Sequence, residues 1–400
     1  MGETKKHILI FSHAMELGGA ERVLLGLLEA VDSTQYDIDL FLMRHEGELL
    51  KDLPAKIHLL PEIPQYACLA IPAKQVLKRG QFGVAFGRLL GKQAAKRKCR
   101  ELAVSRENDI ALEYSHKFSE CFMPDIGDGD YDLAISFLTP HYFVRDKVKA
   151  KKKIAWIHTD YSKVAVDRES QLKMWSAYDR IISISDRVSQ AFLGVFPELS
   201  GKLTMLPHFM PIDYIRRKAE EECEAFEESD RVNLLSIGRF CTAKNFDNIP
   251  DICRRIRESG LNVKWYLIGY GVDELLIRRR IEEAGMEEHV VILGKKDNPY
   301  PYIKACDLYV QPSRYEGKCV SVIEAQILGK PVVITDYPTS ESQLENGADG
   351  IIAPMDNECC AEKIVSLLRN PEIMEELHKN CAKRDYSNAG EIEKLYAMID

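Results

Sequence analysis

Short runs of β-branched and aliphatic residues alternate with amphipathic helical stretches along this chain, and the alternation breaks once and then starts again. "HILIFSH" reads as a strand, "GGAERVLLGLLEAV" as a helix, and "YDIDLFLM" and "KIHLLP" as strands. "YDLAISFL", "KKIAWIHTD", "RIISIS" and "KLTMLPHF" follow, with helical patterns between them. Strands alternating with helices imply right-handed crossovers and a parallel sheet. Around residue 209 comes the polar, acidic "MPIDYIRRKAEEECEAFEESDR", which reads as a linker region. The rhythm then returns with "VNLLSIGRF", a helix from about Phe246 to Glu258, "VKWYLIGYG", "HVVILG", "DLYVQPS", "PVVIT" and "GIIAP". Two helices follow, "NECCAEKIVSLLRN" and "PEIMEELHKNCAKR". The expected fold is α/β, two Rossmann-like doubly wound parallel-sheet domains facing a central cleft. Ligands bind at the carboxyl ends of such strands. The domains are placed at 1–208 and 209–381, with 382–400 a final helix.

Length agrees, because 400 residues suit two domains better than one core. No apolar run reaches the roughly 18 residues that span a bilayer, and the N-terminus lacks a cleavable leader pattern, so a cytoplasmic location is expected. The eleven cysteines are scattered without metal-ligand spacing and read as buried, reduced thiols, Cys223, Cys359 and Cys360 among them. Net charge is −8, which argues against nucleic acid as the partner. Residues 63–100 depart from that average: they hold nine Lys/Arg and no Asp or Glu. The cations mix with Ile71, Val76, Leu77, Phe82, Val84, Phe86, Leu89 and Leu90. Such a stretch points to contact with an anionic membrane surface or an anionic acceptor, the alternative being a solvated helical face with a buried apolar side.

The segment "SRYEGKCVSVIEAQILGKPVVIT" carries two glutamates, Glu316 and Glu324. The helix holding Glu324 is apolar nearly all round and should be buried. A buried carboxylate needs partners. It either pairs with Lys330 or a backbone end, or receives the two hydroxyls of a diol such as ribose. Glu316 falls on the preceding loop. The turn Gly317, Lys318, Cys319, Val320 opens the helix and offers backbone N–H groups to an anion. "SIGRFCTAKN" puts Arg239 and Lys244 on another strand-to-helix turn, a sensible clamp for a diphosphate. "IGYG", with Gly269, lacks the third glycine of a dinucleotide fingerprint, which counts against NAD. In the first half, Gly18 and Gly19 join strand to helix, and His158 sits at a strand end. "DIGDGDYD" fails as a calcium loop because Ser136 stands at its twelfth position.

In order, "GGAER", "IHTD", "SIGRF…K", "IGYG", "PSRYEGKCVSVIEA…GKPVV" and "DGIIAP" resemble the retaining nucleotide-sugar glycosyltransferases of glycosyltransferase family 4, which have the GT-B fold. The resemblance covers almost the whole chain, and the pair of glutamates with seven residues between them is its most specific part. It implies that Glu324 takes the ribose hydroxyls, Glu316 a hydroxyl of the donor sugar, and Arg239 and Lys244 the diphosphate. Backbone at Gly18, Gly19 and the turn from Gly317 to Val320 would assist, and His158 would face the transferred sugar. Lys318 and Cys319 depart from the aromatic and second glycine that often follow "EG" in the family. The implied reaction moves a sugar with retention from a nucleotide diphosphate sugar, UDP favoured over GDP, to a glycan or lipid-linked acceptor in bacterial surface polysaccharide synthesis. No metal or other cofactor is implied, and the work is placed at the inner face of the membrane. A same-fold epimerase, a phosphorylase or a non-catalytic partner subunit are the rival readings. The tail "YSNAGEIEKLYAMID" looks like the family's final helix, crossing back to the first domain.

Overall fold

The computed structural model describes residues 5–104, 109–162, 164–222, 226 and 231–399. Cys223 and most of the acidic end of the expected linker lie outside these residues. The chain forms two compact units. The first comprises residues up to Met210 together with the tail from Asn388, and the second runs from Pro211 to Ser387.

The first unit holds β1 (Lys6–Ser12), β2 (Tyr36–Leu42), β3 (Ile57–Leu59), β4 (Tyr131–Ser136), β5 (Ala150–Trp156), β6 (Arg180–Ser183) and β7 (Leu203–Met205). Their order across the sheet is β3-β2-β1-β4-β5-β6-β7, and every pairing is parallel. The second unit holds β8 (Val232–Ile237), β9 (Val263–Ile268), β10 (Val290–Gly294), β11 (Leu308–Gln311), β12 (Val332–Thr335) and β13 (Ile351–Ala353). Their order is β10-β9-β8-β11-β12-β13, again all parallel. Both orders reverse direction once, between β1 and β4 and between β8 and β11. Those two switch points are where the loops splay apart and leave room for a ligand.

Helices cover both faces of each sheet, which is why the strands read as unbroken apolar runs. Leu9, Ile10 and Phe11 of β1 are fully buried, as are Leu234, Leu235, Leu308 and Val310 at the centre of the second sheet. The helix Val320–Ile327 is buried at all eight positions.

Four local readings change. The first part of the expected linker is a helix, Ile212–Ala219, whose Tyr214 and Ile215 pack into the second unit. Ring contact between Tyr214 and Tyr300 anchors it. The helix read from Phe246 begins at Ile249, after short 3-10 turns at Thr242–Lys244 and Phe246–Asn248. Residues 382–387 stay with the second unit, tied by Arg384 and Tyr386 to the buried Asp349 carboxylate. From Asn388 the tail joins the first unit, where Tyr396 stacks on Tyr36 and accepts a hydrogen bond from the Asp32 amide. Finally, Cys360 is buried but its neighbour Cys359 is exposed, as is Cys121.

The basic segment departs most from a simple amphipathic helix. Its main helix, Phe82–Glu101, turns Val84, Gly87, Gly91 and Ala95 inward. A Cβ at Gly87 or Gly91 would lie 2.6 or 2.4 Å from a carbonyl oxygen of the Asp109–Ser119 helix, so glycine is what lets the two helices touch. The outward face carries Phe82, Phe86 and Leu89, each more than half exposed.

Candidate functional site

In the second unit the loops leaving β8 and β11 meet at the switch point. The β8 loop turns through Asn245, a buried residue with φ of 60°, so that the short Thr242–Lys244 turn ends with Lys244 aimed at the neighbouring loop. Arg314 fixes the two loops together. Its guanidinium donates to both carboxylate oxygens of Asp247 at 2.9 and 2.8 Å and to the Thr242 carbonyl, while its amide donates to the Ala243 carbonyl. Two parallel charged bonds of this kind give geometric specificity as well as attraction.

Held in this way, Lys244 Nζ donates to Glu316 Oε1 at 2.6 Å and approaches Cys319 Sγ at 3.7 Å. Ser313 Oγ donates to the same glutamate oxygen at 2.6 Å. Both members of the ion pair are mostly covered, with side chains 18% and 12% exposed. Burial alone would push the lysine pKa down, but the neighbouring Cys319 sulfur and the Glu316 carboxylate that accepts its hydrogen bond override it and raise it, so Lys244 stays charged. The sequence reading gave Lys244 and Glu316 separate tasks; the structure makes them one pair. Arg239 is exposed and forms no ion pair among the described residues. The local charge from Arg239, Lys244 and Glu316 is therefore +1, one unit less than the cations alone supply.

The remaining residues of the second unit fall around this pair. Gly269 has φ of 150°, and a Cβ there would sit 1.9 Å from the Gly238 carbonyl oxygen. It lets the β8 and β9 loops pack backbone to backbone. At the helix opening, the Cys319 amide donates to Gln343 Oε1 at 2.6 Å, so this N–H is not among the free donors expected there. Lys318 Nζ donates to the Ser342 carbonyl at 2.8 Å. Glu324 is fully buried, and its Oε1 accepts from Tyr300 OH at 2.9 Å. That phenol is a partner neither of the two expectations for Glu324 included. Gly317 and Val320 flank the turn, and no atom lies within 4 Å of where a Cβ on Gly317 would be.

The first unit has a different edge. Gly18 caps the helix Gly19–Ala30 with backbone only. His158, just past β5, is half-buried, and its Nε2 lacks a hydrogen-bond partner among the described residues. Its ring lies 4.7 Å from that of Phe137. Burial pushes its pKa down to about 4, so it is a neutral imidazole at neutral pH. His13, His116 and His141 lie near it and are neutral for the same reason.

Residues 218–385, nearly the whole second unit, match the family model described as Glycosyl transferases group 1. An uncharacterized glycosyltransferase of Methanocaldococcus jannaschii is 24% identical over 239 residues, which are 56% of this chain and 58% of that protein. The N-acetylgalactosamine-N,N'-diacetylbacillosaminyl-diphospho-undecaprenol 4-alpha-N-acetylgalactosaminyltransferase of Campylobacter jejuni is 28% identical over 185 residues, 46% of this chain and 48% of the relative. The chain spans about half the length of the curated relatives it matches. In structure it is similar to S. aureus TarM, solved in complex with UDP, at a TM-score of 0.67 and 14% identity, covering 99% of this chain and 100% of that one.

The second unit is thus similar to glycosyltransferases.

The fold they share is GT-B, with its two Rossmann-like units. Three residues that build the site were not found in the sequence. Ser313 lies three positions before Glu316, a spacing that allows a local hydrogen bond and could have been noticed. Gln343 and Tyr300 act across 24 residues each, and no local pattern marks them. Among the described residues no group of three His, Cys, Asp or Glu side chains is placed to hold a metal ion.

Proposed function

We propose that this chain transfers a hexosyl or N-acetylhexosaminyl group, with retention of anomeric configuration, from a UDP-sugar to a hydroxyl of a glycan or lipid-linked acceptor. The observation that carries the reading is the Lys244–Glu316 pair at the β8/β11 switch point, with exposed Arg239 on the same loop. A diphosphate needs cations, and a sugar hydroxyl needs a carboxylate held nearby. UDP is favoured because it is the nucleotide named for S. aureus TarM.

In the reaction the bond from the anomeric carbon to the β-phosphate oxygen breaks, and the acceptor oxygen bonds to that carbon on the same face. The acceptor's proton passes to the departing phosphate, so no enzyme nucleophile is required. Negative charge grows on that phosphate, and Arg239 and Lys244 stabilise it more in the transition state than in the ground state. Glu316 orients the donor sugar and is itself oriented by Ser313. His158 is assigned to a hydroxyl of the transferred sugar, as a neutral group that accepts or donates without adding charge. Glu324 is assigned to the ribose hydroxyls; this requires binding to uncover a carboxylate that Tyr300 now occupies. The built-in cations take the part a divalent metal plays elsewhere.

Residues 70–100 are assigned to an anionic membrane surface. The outward face of Phe82–Glu101 places Phe82, Phe86 and Leu89 ahead of Lys96, Arg97 and Arg100, apolar rings followed by cations. Each cation near such a surface contributes about 1 kcal/mol. Sedimentation with anionic vesicles at low and high salt checks this, and absence of binding at low salt removes it. For the reaction itself, thermal shifts across UDP- and GDP-sugars identify the donor, and NMR of the product reports the anomeric outcome with and without EDTA. Inversion, or activity that needs added magnesium, overturns the mechanism.

A further inference from the structure

The first unit contains a cavity of about 190 Å3 behind the loops that leave β4 and β5. At about 30 Å3 per water this is roughly six water volumes, room for one six-membered ring with its substituents. Its wall combines Glu113 and His116 of the Asp109–Ser119 helix, His141 after β4, Thr159 and Tyr161 after β5, and Gln171. Glu113, His116, His141, Tyr161 and Gln171 are each at least nine-tenths buried.

These groups are held in place before any ligand arrives. Tyr142 OH donates to Glu113 Oε1 at 2.6 Å, Gln171 Nε2 donates to Glu113 Oε2 at 3.3 Å, and Tyr161 OH donates to Gln171 Oε1 at 2.9 Å. His141 Nδ1 is joined to Ser136 Oγ at 2.8 Å, which leaves Nε2 as its other ring nitrogen. His116 is only 5% exposed, and its ring lies 6.1 Å from that of Phe143, which holds the imidazole on the cavity wall. Leu112, Pro140 and Met174 supply apolar surface beside these donors and acceptors. Polar edges with apolar faces match a pyranose, whose hydroxyls project from the ring edge while its C–H bonds form the faces.

We propose that this cavity binds one neutral, hydroxyl-rich sugar ring, and that in the transfer reaction proposed above, on which this last step rests, the ring belongs to the acceptor. Charge decides against an anionic sugar. Glu113 is the one carboxyl group on the wall, and no Lys or Arg lines it. A uronic acid or a sugar phosphate would meet a carboxylate with no cation to offset it. The cavity also adjoins His158 through Thr159 in the chain.

The test uses the full chain and saturation-transfer NMR with methyl glycosides of neutral hexoses and N-acetylhexosamines, and methyl glucuronide as the anionic comparator. Neutral glycosides are expected to bind at millimolar concentration and the glucuronide about tenfold more weakly or not at all. Gln171→Leu and His116→Phe each remove one polar partner and should weaken neutral binding by about tenfold. If either variant fails to fold, Thr159→Met, at a half-buried position on the wall, narrows the cavity and should give the same loss. UDP-induced thermal shifts in the same samples report on the second unit alone. Glycoside binding absent while UDP binds overturns the cavity assignment and leaves the donor reading standing; glycoside binding without a UDP shift does the reverse. Tighter binding of the glucuronide, or variants that bind as well as the parent, also overturns it.

Discussion

At the switch point of the first sheet stand His13, His141 and His158, with His116 behind them, all buried enough to be neutral. At the switch point of the second stand Arg239, Lys244, Glu316 and the Arg314–Asp247 bridge, all charged. The strand orders around the two points are alike: each sheet runs outward from a central strand and reverses once. One topology thus supports two chemistries, because the loops leaving the strands are chosen independently of the strands. Neutral imidazoles can exchange hydrogen bonds with hydroxyls without preferring anions. Fixed cations select phosphate.

The sharpest way to break this contrast is to remove the second unit's cations. Arg239→Ala should lower turnover by about 10²–10³-fold while leaving Tm unchanged, since the side chain is exposed and forms no ion pair among the described residues. Lys244→Ala should lower turnover as far but also lower Tm, because Glu316 keeps a buried charge with Ser313 as its remaining contact in the cluster. Equal Tm for both variants, by calorimetry, would show that the pair contributes nothing to the fold.

Acid should separate the two units next. Burial holds the folded-state pKa of His13 and His158 down to about 4 and that of His116 and His141 to about 3. An unfolded histidine titrates near about 6.5. The unfolded chain therefore takes up protons as pH falls below that value, while the native chain does not. The stabilisation is complete above about pH 6.5 and is lost progressively as pH drops toward about 4 for His13 and His158 and about 3 for His116 and His141. Hydrogen exchange followed by mass spectrometry at pH 7 and pH 5 should show the first unit opening before the second, and His116→Gln should flatten the dependence.

The smallest effects concern single contacts. Glu324→Gln should lower Tm by a few degrees through its bond with Tyr300, the cost of about 1–3 kcal/mol for an impaired buried hydrogen bond, and should weaken UDP affinity. An unchanged UDP affinity returns Glu324 to a structural role. Phe86→Ser should leave Tm within a degree or so, because an exposed side chain loses little on truncation, and should reduce vesicle binding.

Much of the fold was legible in the residues. The unbroken apolar runs marked parallel strands covered on both faces, and the apolar helix Val320–Ile327 marked a buried element that then proved buried at every position. Parts of the site were legible too: Arg239, Lys244 and Glu316 stand at strand ends, where a doubly wound sheet leaves its loops free. The Phe82–Glu101 helix was legible only in part. Its pattern left open contact with an anionic membrane or acceptor, the favoured reading, and a buried apolar side; no local signal showed that Val84 and small residues face inward while Phe82, Phe86 and Leu89 face outward. Close approach to a neighbouring helix favours the smallest side chains, and that neighbour is not visible in a local pattern.

Local chemistry, then, determined which segments became strands and helices, where the alternation restarted, and which charged residues would stand at strand ends, because periodicity and turn preference act over a few residues. The tertiary structure alone decided that Lys244 and Glu316 share one oxygen contact, that Tyr300 meets Glu324, and that Glu113, His116, His141 and Gln171 enclose one cavity. Lys244 and Glu316 are 72 residues apart and Tyr300 and Glu324 are 24 apart, and the cavity draws on three separate segments, so only the folding of the chain around each sheet brings these groups together.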